Sequence, residues 1–289
     1  MLTCGQAQMP PRVAVLDFLG DERSEVTTLV RTLAQSFTLI DEEQMRVAVR
    51  GAGYAGSLNL SREEARALGM SIGCDFYMLG SVRVVRRIAA ADKFYHDALA
   101  GLFLVETHTG RLVKFAFLQT QAESETEARA KLAAALKQAW VQYAAAIIEA
   151  RNQSLAEAEI IPRDAGEVIE VFDSDRTPPG LTPPVFAERL KPEYSEAANL
   201  MDITATVELE VVFGASGQVG NIAVMRWAGF GLDEAAVATV KQLRFKPAER
   251  AGKAITIRAL VRYNFIRPRT AAQREEEIEQ FRRGQQGDQ

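Results

Sequence analysis

Two histidines and two cysteines in 289 residues leave little material for nucleophilic or metal chemistry. His96 falls in a predicted strand and His108 in a turn, and neither has a ligand cluster nearby in sequence. No Ser-His-Asp or Cys-His constellation can be assembled from them. Cys4 and Cys74 make neither a disulfide framework nor a zinc site. Cys74 lies between a predicted helix and strand in IGCDF, where it reads as a small buried thiol. No apolar run approaches the ~20 residues of a membrane helix. The phosphate loop G-x-x-x-x-G-K-[ST] is missing, and the first predicted strand is not followed by G-x-G-x-x-G. No catalytic residue, metal or cofactor is therefore expected, and the net charge of −4 argues against nucleic acid as the main ligand. Asp17, Asp21 and Glu22 follow the first strand and read either as cation ligands or as solvated loop acids. Residues 1–11 are too short for a secretory signal and suit a leader remnant whose start lies upstream. Cys4 invites lipidation, for which Thr3 is a poor preceding residue.

What is present is ordinary globular material. Hydrophobic residues make up 47% of the chain and charged residues 25%, enough to fill a core in each of about two domains. The charge is uneven. Between Arg151 and Gly180 there are three basic and seven acidic residues, which accounts for the whole imbalance. The stretch TPPGLTPP, residues 177–184, holds four of the ten prolines. As polyproline II it spans only about 25 Å, so it is a spacer and not a long arm. These breaks divide the chain into residues 12–150, an acidic linker 151–176, a second domain 177–268 and a charged tail 269–289.

In the first domain, RVAVLDF (residues 12–18) is a continuous apolar run and predicts a buried strand. Helices are predicted over 25–35, 42–50, 62–70 and 124–151. Ser61 with Glu64, and Ser124 with Glu127, have capping-box spacing. Strands are predicted over 75–85, 95–107 and 111–121, the last two around His108-Thr-Gly110. In the second domain, Val207, Leu209, Val211 and Phe213 alternate with Glu208, Glu210 and Val212, the period of a half-buried strand. Gly214-Ala-Ser-Gly217 turns the chain into a second strand over 218–226. Leu232, Ala235, Ala236, Thr239, Val240 and Leu243 recur at helical spacing, and a last strand alternates from Ile255 to Phe265. Trp227 and Phe230 flank Gly229 before the helix, either as a binding patch or as a core cap. Arg83, Arg86 and Arg87 form a basic cluster too small for nucleic acid.

Pro192-Glu-Tyr194, Val207-Glu-Leu-Glu-Val-Val-Phe213, Ser216-Gly217, Gly231-Leu-Asp-Glu-Ala-Ala236, Arg244-Phe-Lys-Pro-Ala248 and Gly252 together resemble the C-terminal domain of TonB-type energy transducers. Ser195 stands where that family has Pro after the tyrosine, and Ala205 where it has Gly before the first strand. In the first domain VAVLDF, Leu68-Gly69, Cys74-Asp75, Gly80-Ser-Val82 and the strands around THTGRLV resemble the N-terminal domain of TolB and the curli-secretion lipoproteins. The fold class expected is α+β, an N-terminal α/β sandwich-like domain with a mixed sheet and a C-terminal β-β-α-β domain, with separate cores and few apolar contacts between them.

The TonB resemblance implies a non-enzymatic protein of the Gram-negative periplasm or cell envelope. It implies docking on outer-membrane transporters, or on another envelope protein, by strand addition to the last strand. The alternative is an envelope assembly or secretion scaffold without energy transduction. Homodimerisation and an anchor outside this sequence both stay open. The last strand is expected at a sheet edge, with Thr256, Arg258, Leu260, Arg262, Asn264 and Tyr194 meeting the partner. Arg258 and Arg262 there read equally as charges that guard an edge and as partner contacts.

Overall fold

The computed structural model describes residues 9–88, 94–157, 169–171 and 180–267. Expectations for the leader before residue 9, for most of the acidic linker and for the charged tail lie outside these residues.

The first lobe begins with β1 (Arg12–Val15), α1 (Glu25–Leu33), β2 (Thr38–Leu39), α2 (Glu42–Gly51) and α3 (Arg62–Ile72). It continues with β3 (Phe76–Ile88), β4 (Phe94–Glu106), β5 (Leu112–Ala122) and α4 (Glu125–Glu157). The sheet order is β2-β1-β3-β4-β5, parallel across the first three strands and antiparallel across the last three. The caps explain where the helices start. Asp41 accepts from the Gln44 N–H at 2.9 Å. Ser61 and Glu64 form a complete capping box, and Ser124 accepts from the Glu127 N–H at 3.2 Å.

β4 organises the layers. Ala98, Ala100, Leu102 and Leu104 join the core under α1 and α4. Leu99, Phe103 and Val105 face the other way, toward α2 and α3. This is the period-2 alternation of a strand buried on both faces. α4 lays Ala128, Leu132, Leu136, Tyr143, Ile147 and Ala150 on the first core, and Tyr143 donates to the Leu102 carbonyl at 2.9 Å.

β6 (Ile169–Val171), β7 (Leu181–Thr182), β8 (Val185–Phe186) and α5 (Glu196–Leu200) lead to β9 (Ala205–Phe213), β10 (Val219–Arg226) and α6 (Leu232–Lys241). β11 (Phe245–Lys246), β12 (Ala248–Arg250), β13 (Lys253–Ile255) and β14 (Ile257–Phe265) complete the described chain. The expected strand, strand, helix, last strand order is the frame of this lobe. Its main sheet runs β10-β9-β14-β6. The Gly214–Gln218 turn closes with a 2.9 Å bond from the Gly214 N–H to the Gln218 carbonyl, and Gly217 sits at φ 78°. The last strand is shorter than expected because residues 253–255 leave it to pair with β12.

The expectation of separate cores is corrected. One hydrophobic cluster runs through both lobes, from Leu99 and Phe103 to Phe230, Leu232, Val240 and Val207. Phe230 seats its ring on the face of β4 and β5. Its centroid lies 5.8 Å from Phe103, 4.9 Å from Phe115 and 6.0 Å from Phe117. The fit depends on two glycines. A Cβ on Gly101 would stand 2.6 Å from the Phe230 ring, and one on Gly229 would stand 2.6 Å from the Phe103 ring. The sequence showed no such seam because it is made by an irregular turn and not by a periodic element.

Candidate partner-docking site

β14 pairs antiparallel with β9 along its length, from Ile257 opposite Phe213 to Phe265 opposite Ala205. Its other side carries β6 in parallel, with Ile257 opposite Ile169, Arg258 opposite Glu170 and Ala259 opposite Val171. The expected edge position is therefore corrected over residues 257–259, where the chain supplies its own fourth strand. Over residues 260–265 β14 has no further partner strand among the described residues. Where a strand has no neighbour on one side, every second N–H and C=O can pair with an extended chain.

Alternation decides the faces. Ile257 and Phe265 are buried, and Ala259, Val261 and Tyr263 pack on the same core. The opposite face carries a ladder of polar cross-strand contacts. Arg262 donates to Glu208 at 2.8 Å, Arg258 lies 3.5 Å from Glu210, and Thr206 donates to Asn264 at 2.9 Å. Arg226 extends the ladder to Glu64 of α3 at 3.0 Å. Exposed pairs of this kind contribute little stability. Their consequence is that Arg258 and Arg262 already have carboxylate neighbours.

The six expected contact residues fall in three places. Leu260, Arg262 and Asn264 lie on the open part of β14. Arg258 lies in the part of β14 that pairs with β6, opposite Glu170. Thr256 lies between β13 and β14 and accepts from the Ala215 N–H at 3.2 Å. Tyr194 is a clamp, its hydroxyl donating toward the carbonyls of Ile203 at 2.6 Å and Ala198 at 3.2 Å, and partial burial holds its pKa above the usual tyrosine value. Ser195 caps α5 through the Ala198 N–H at 3.0 Å and donates to the Phe230 carbonyl. Ala205 is buried in the shared core opposite Phe265.

Several of the other polar candidates have partners. Asp17 pairs with Arg46 at 2.9 Å, and Asp21 accepts from the Thr27 N–H at 2.8 Å. His96 meets the Glu123 carbonyl at 3.2 Å. Arg83 pairs with Asp202 across the seam, Arg87 with Asp97, and Arg86 stacks 3.7 Å above the Phe94 ring. Burial pushes the Cys74 thiol up to about 11, so it is not a ready nucleophile. No group of three His, Cys, Asp or Glu side chains that could hold a metal occurs among the described residues. Trp227 and Phe230 both sit in the shared core.

Sequence reasoning missed Asn59. Its side-chain amide donates to the carbonyls of Thr206 at 2.8 Å and Trp227 at 2.6 Å, and its oxygen accepts from the Thr206 N–H at 2.9 Å. One side chain thus ties the start of β9 and the end of β10 to the first lobe. A loop asparagine carries no periodic signal.

Asp233 anchors the turn that holds Phe230, accepting from the Ala228 and Gly229 N–H groups at 2.9 and 2.8 Å. Burial outweighs those two donors and pushes its carboxyl up to about 6. The folded chain then holds a proton that the unfolded chain gives up near pH 4. Stability relative to Asp233→Asn should be highest below about pH 4 and fall by roughly 3 kcal/mol as pH rises through about 6. Urea unfolding of both proteins at several pH values checks this, and a constant difference would refute it.

Among solved structures the chain is similar to the lipoprotein GNA1162 from Neisseria meningitidis. The identity is 14% over 47% of this chain and 99% of that one, with a TM-score of 0.33. It is similar to the TonB C-terminal domain of Pseudomonas aeruginosa at 19% identity, covering 35% of this chain and 96% of that one, with a TM-score of 0.27. Escherichia coli LpoB shows 17% identity over 39% of this chain and 59% of that one, at a TM-score of 0.28. Scores this low bear on neither fold nor function. No curated protein matches the chain significantly. Residues 191–266 match the family described as the Gram-negative bacterial TonB protein C-terminal, and β9, β10, α6 and β14 all fall inside that match: the C-terminal lobe is a TonB-like domain.

Proposed function

We propose that this chain is a non-enzymatic docking protein of the Gram-negative envelope, whose TonB-like lobe captures an extended segment of an outer-membrane transporter on β14. The family match over residues 191–266 supports an envelope protein-interaction role. The observation that carries the docking mode is β6. It shows that the β14 backbone accepts a parallel strand at 257–259, while 260–265 continue without one among the described residues. Strand addition takes its affinity from main-chain bonds and its selectivity from alternate side chains. Here those are Leu260, Arg262 and Asn264. The first lobe, with its resemblance to TolB and the curli-secretion lipoproteins, serves as the platform that holds the TonB-like lobe.

A second reading, an adaptor or secretion scaffold without energy transduction, is favoured by the seam. The turn bearing Phe230 is buried against the first lobe, so the TonB-like lobe is fixed to a partner domain. A response of partner engagement to the proton-motive force in intact cells separates the two readings. No response leaves only the scaffold.

The test of docking is binding of a transporter N-terminal peptide to the full chain, read by amide chemical shifts. Shifts should concentrate on residues 260–265. Leu260→Pro fixes φ and removes a backbone donor, and should abolish binding while circular dichroism stays unchanged. Arg262→Ala should do much less. A folded Leu260→Pro protein that binds normally places the pairing surface elsewhere. Glu170→Pro, which weakens β6, should raise affinity about 3- to 10-fold, because the peptide can then extend along residues 257–259 as well. Unchanged affinity would mean that β6 and the peptide do not share the edge.

A further inference from the structure

The opposite edge of the same sheet opens on a different feature. β10 ends the order β10-β9-β14-β6. At Arg226 the first lobe pins that edge through a bridge to Ser61, and the Trp227 N–H reaches the Leu60 carbonyl at 3.2 Å. On the side away from β9, residues 221–225 have no strand beside them among the described residues, and they line a cleft of about 680 Å³ between the lobes. Arg62, Arg111 and Trp227 line the same cleft.

Three buried donors there have no acceptor among the described residues, namely Arg62 Nε, Arg111 Nε and Trp227 Nε1. Buried polar hydrogens are nearly always paired, so three on one cavity mark a place where an acceptor belongs. The two guanidiniums are held close by the β4–β5 turn. Gly110, at φ 65°, packs so tightly on α3 that a Cβ would lie 1.9 Å from the Arg62 carbonyl oxygen. The charge of Arg111 and burial together depress the Arg62 pKa, with burial the larger cause and Glu210 opposing both. The acids nearby are largely committed. Glu210 sits 3.5 Å from Arg258, Glu106 is 3.8 Å from the far end of the Arg111 guanidinium, and Asp233 is turned onto its own backbone. Glu234, also at the cleft, is exposed to solvent.

We propose that this cleft is a second peptide site, in which an extended segment adds to the free edge of β10 and delivers a carboxylate to Arg62 and Arg111. Guanidinium forks suit carboxylates by geometry as well as charge. The indole N–H of Trp227 supplies a third donor. Five residues of edge, at about 3.3 Å each, take a segment of four or five residues. The site is independent of β14 docking, since it uses the other edge of the sheet and side chains of the first lobe.

The test uses the isotopically labelled full chain. The probe is an acetylated Val-Thr-Val-Thr-Val peptide with a free terminal carboxylate, compared with its carboxamide. The free acid should shift the Trp227 indole N–H and the amides of residues 221–225, and bind at least about tenfold tighter than the carboxamide. Arg111→Gln should erase that preference. Should that variant fold poorly, the acid–amide comparison on the unaltered protein decides by itself. Equal binding of acid and amide, shifts confined to β14, or no saturable binding up to about 10 mM would each overturn the proposal. So would acetate alone reproducing the whole Trp227 shift.

Discussion

Phe230→Ala should unseat the TonB-like lobe and lower stability by about 3–5 kcal/mol, the cost of truncating a buried aromatic that leaves a cavity. The ring is 1% exposed and touches three phenylalanines of the first lobe. The substitution is clean at the backbone. Phe230 sits at φ 54°, and alanine carries the same left-handed penalty, so the loss reads the ring and not the turn. Chemical unfolding followed by separate probes in each lobe should change from one transition to two, because the shared cluster no longer couples them. Phe230→Leu should cost much less. A single transition with stability unchanged would show that the seam contributes nothing.

Asn59→Ala should cost about 2–4 kcal/mol, although it removes only one loop side chain. It would strand the Thr206 N–H and the carbonyls of Thr206 and Trp227 in a part-buried site, and an unpaired buried group costs about 1–3 kcal/mol. Asn59→Asp separates hydrogen bonding from shape. A carboxylate can still accept from the Thr206 N–H but cannot donate to either carbonyl. It should therefore be no better than alanine, and worse if charged. Thermal unfolding of the three proteins measures this, and an aspartate variant as stable as the parent would show that the two donated bonds are idle.

Both variants act where the sequence was least readable. The β9–β10 hairpin, α6 and β14 were legible because burial on one face imposes a period, and Val207, Leu209, Val211 and Phe213 display it without interruption. In the first lobe β1 was legible instead as a continuous apolar run, and Ser61 and Ser124 marked helix starts by local hydrogen bonding. β6 was not legible. A three-residue strand in an acidic stretch has no room for alternation, and only the exposed backbone of β14 makes it a strand. The contact residues were recoverable as a face but not as a surface. Arg258 lies in the part of β14 that pairs with β6, and Tyr194 ties down its own lobe. The seam stayed hidden because Asn59, Gly101, Gly229 and Phe230 are matched only in three dimensions.

The self-supplied strand also has a mechanical meaning. β6 lies between the end of α4 at Glu157 and the resumption of described chain at Gly180. That connection, fully drawn out, is roughly 75 Å long. Among the described residues, Phe230 and Asn59 join the lobes side to side. Tension applied to the TonB-like lobe would load this seam. Should the seam part, the covalent connection would still keep the lobes within that distance of each other. A load large enough to break the seam would then separate the lobes without letting them drift out of reach of each other.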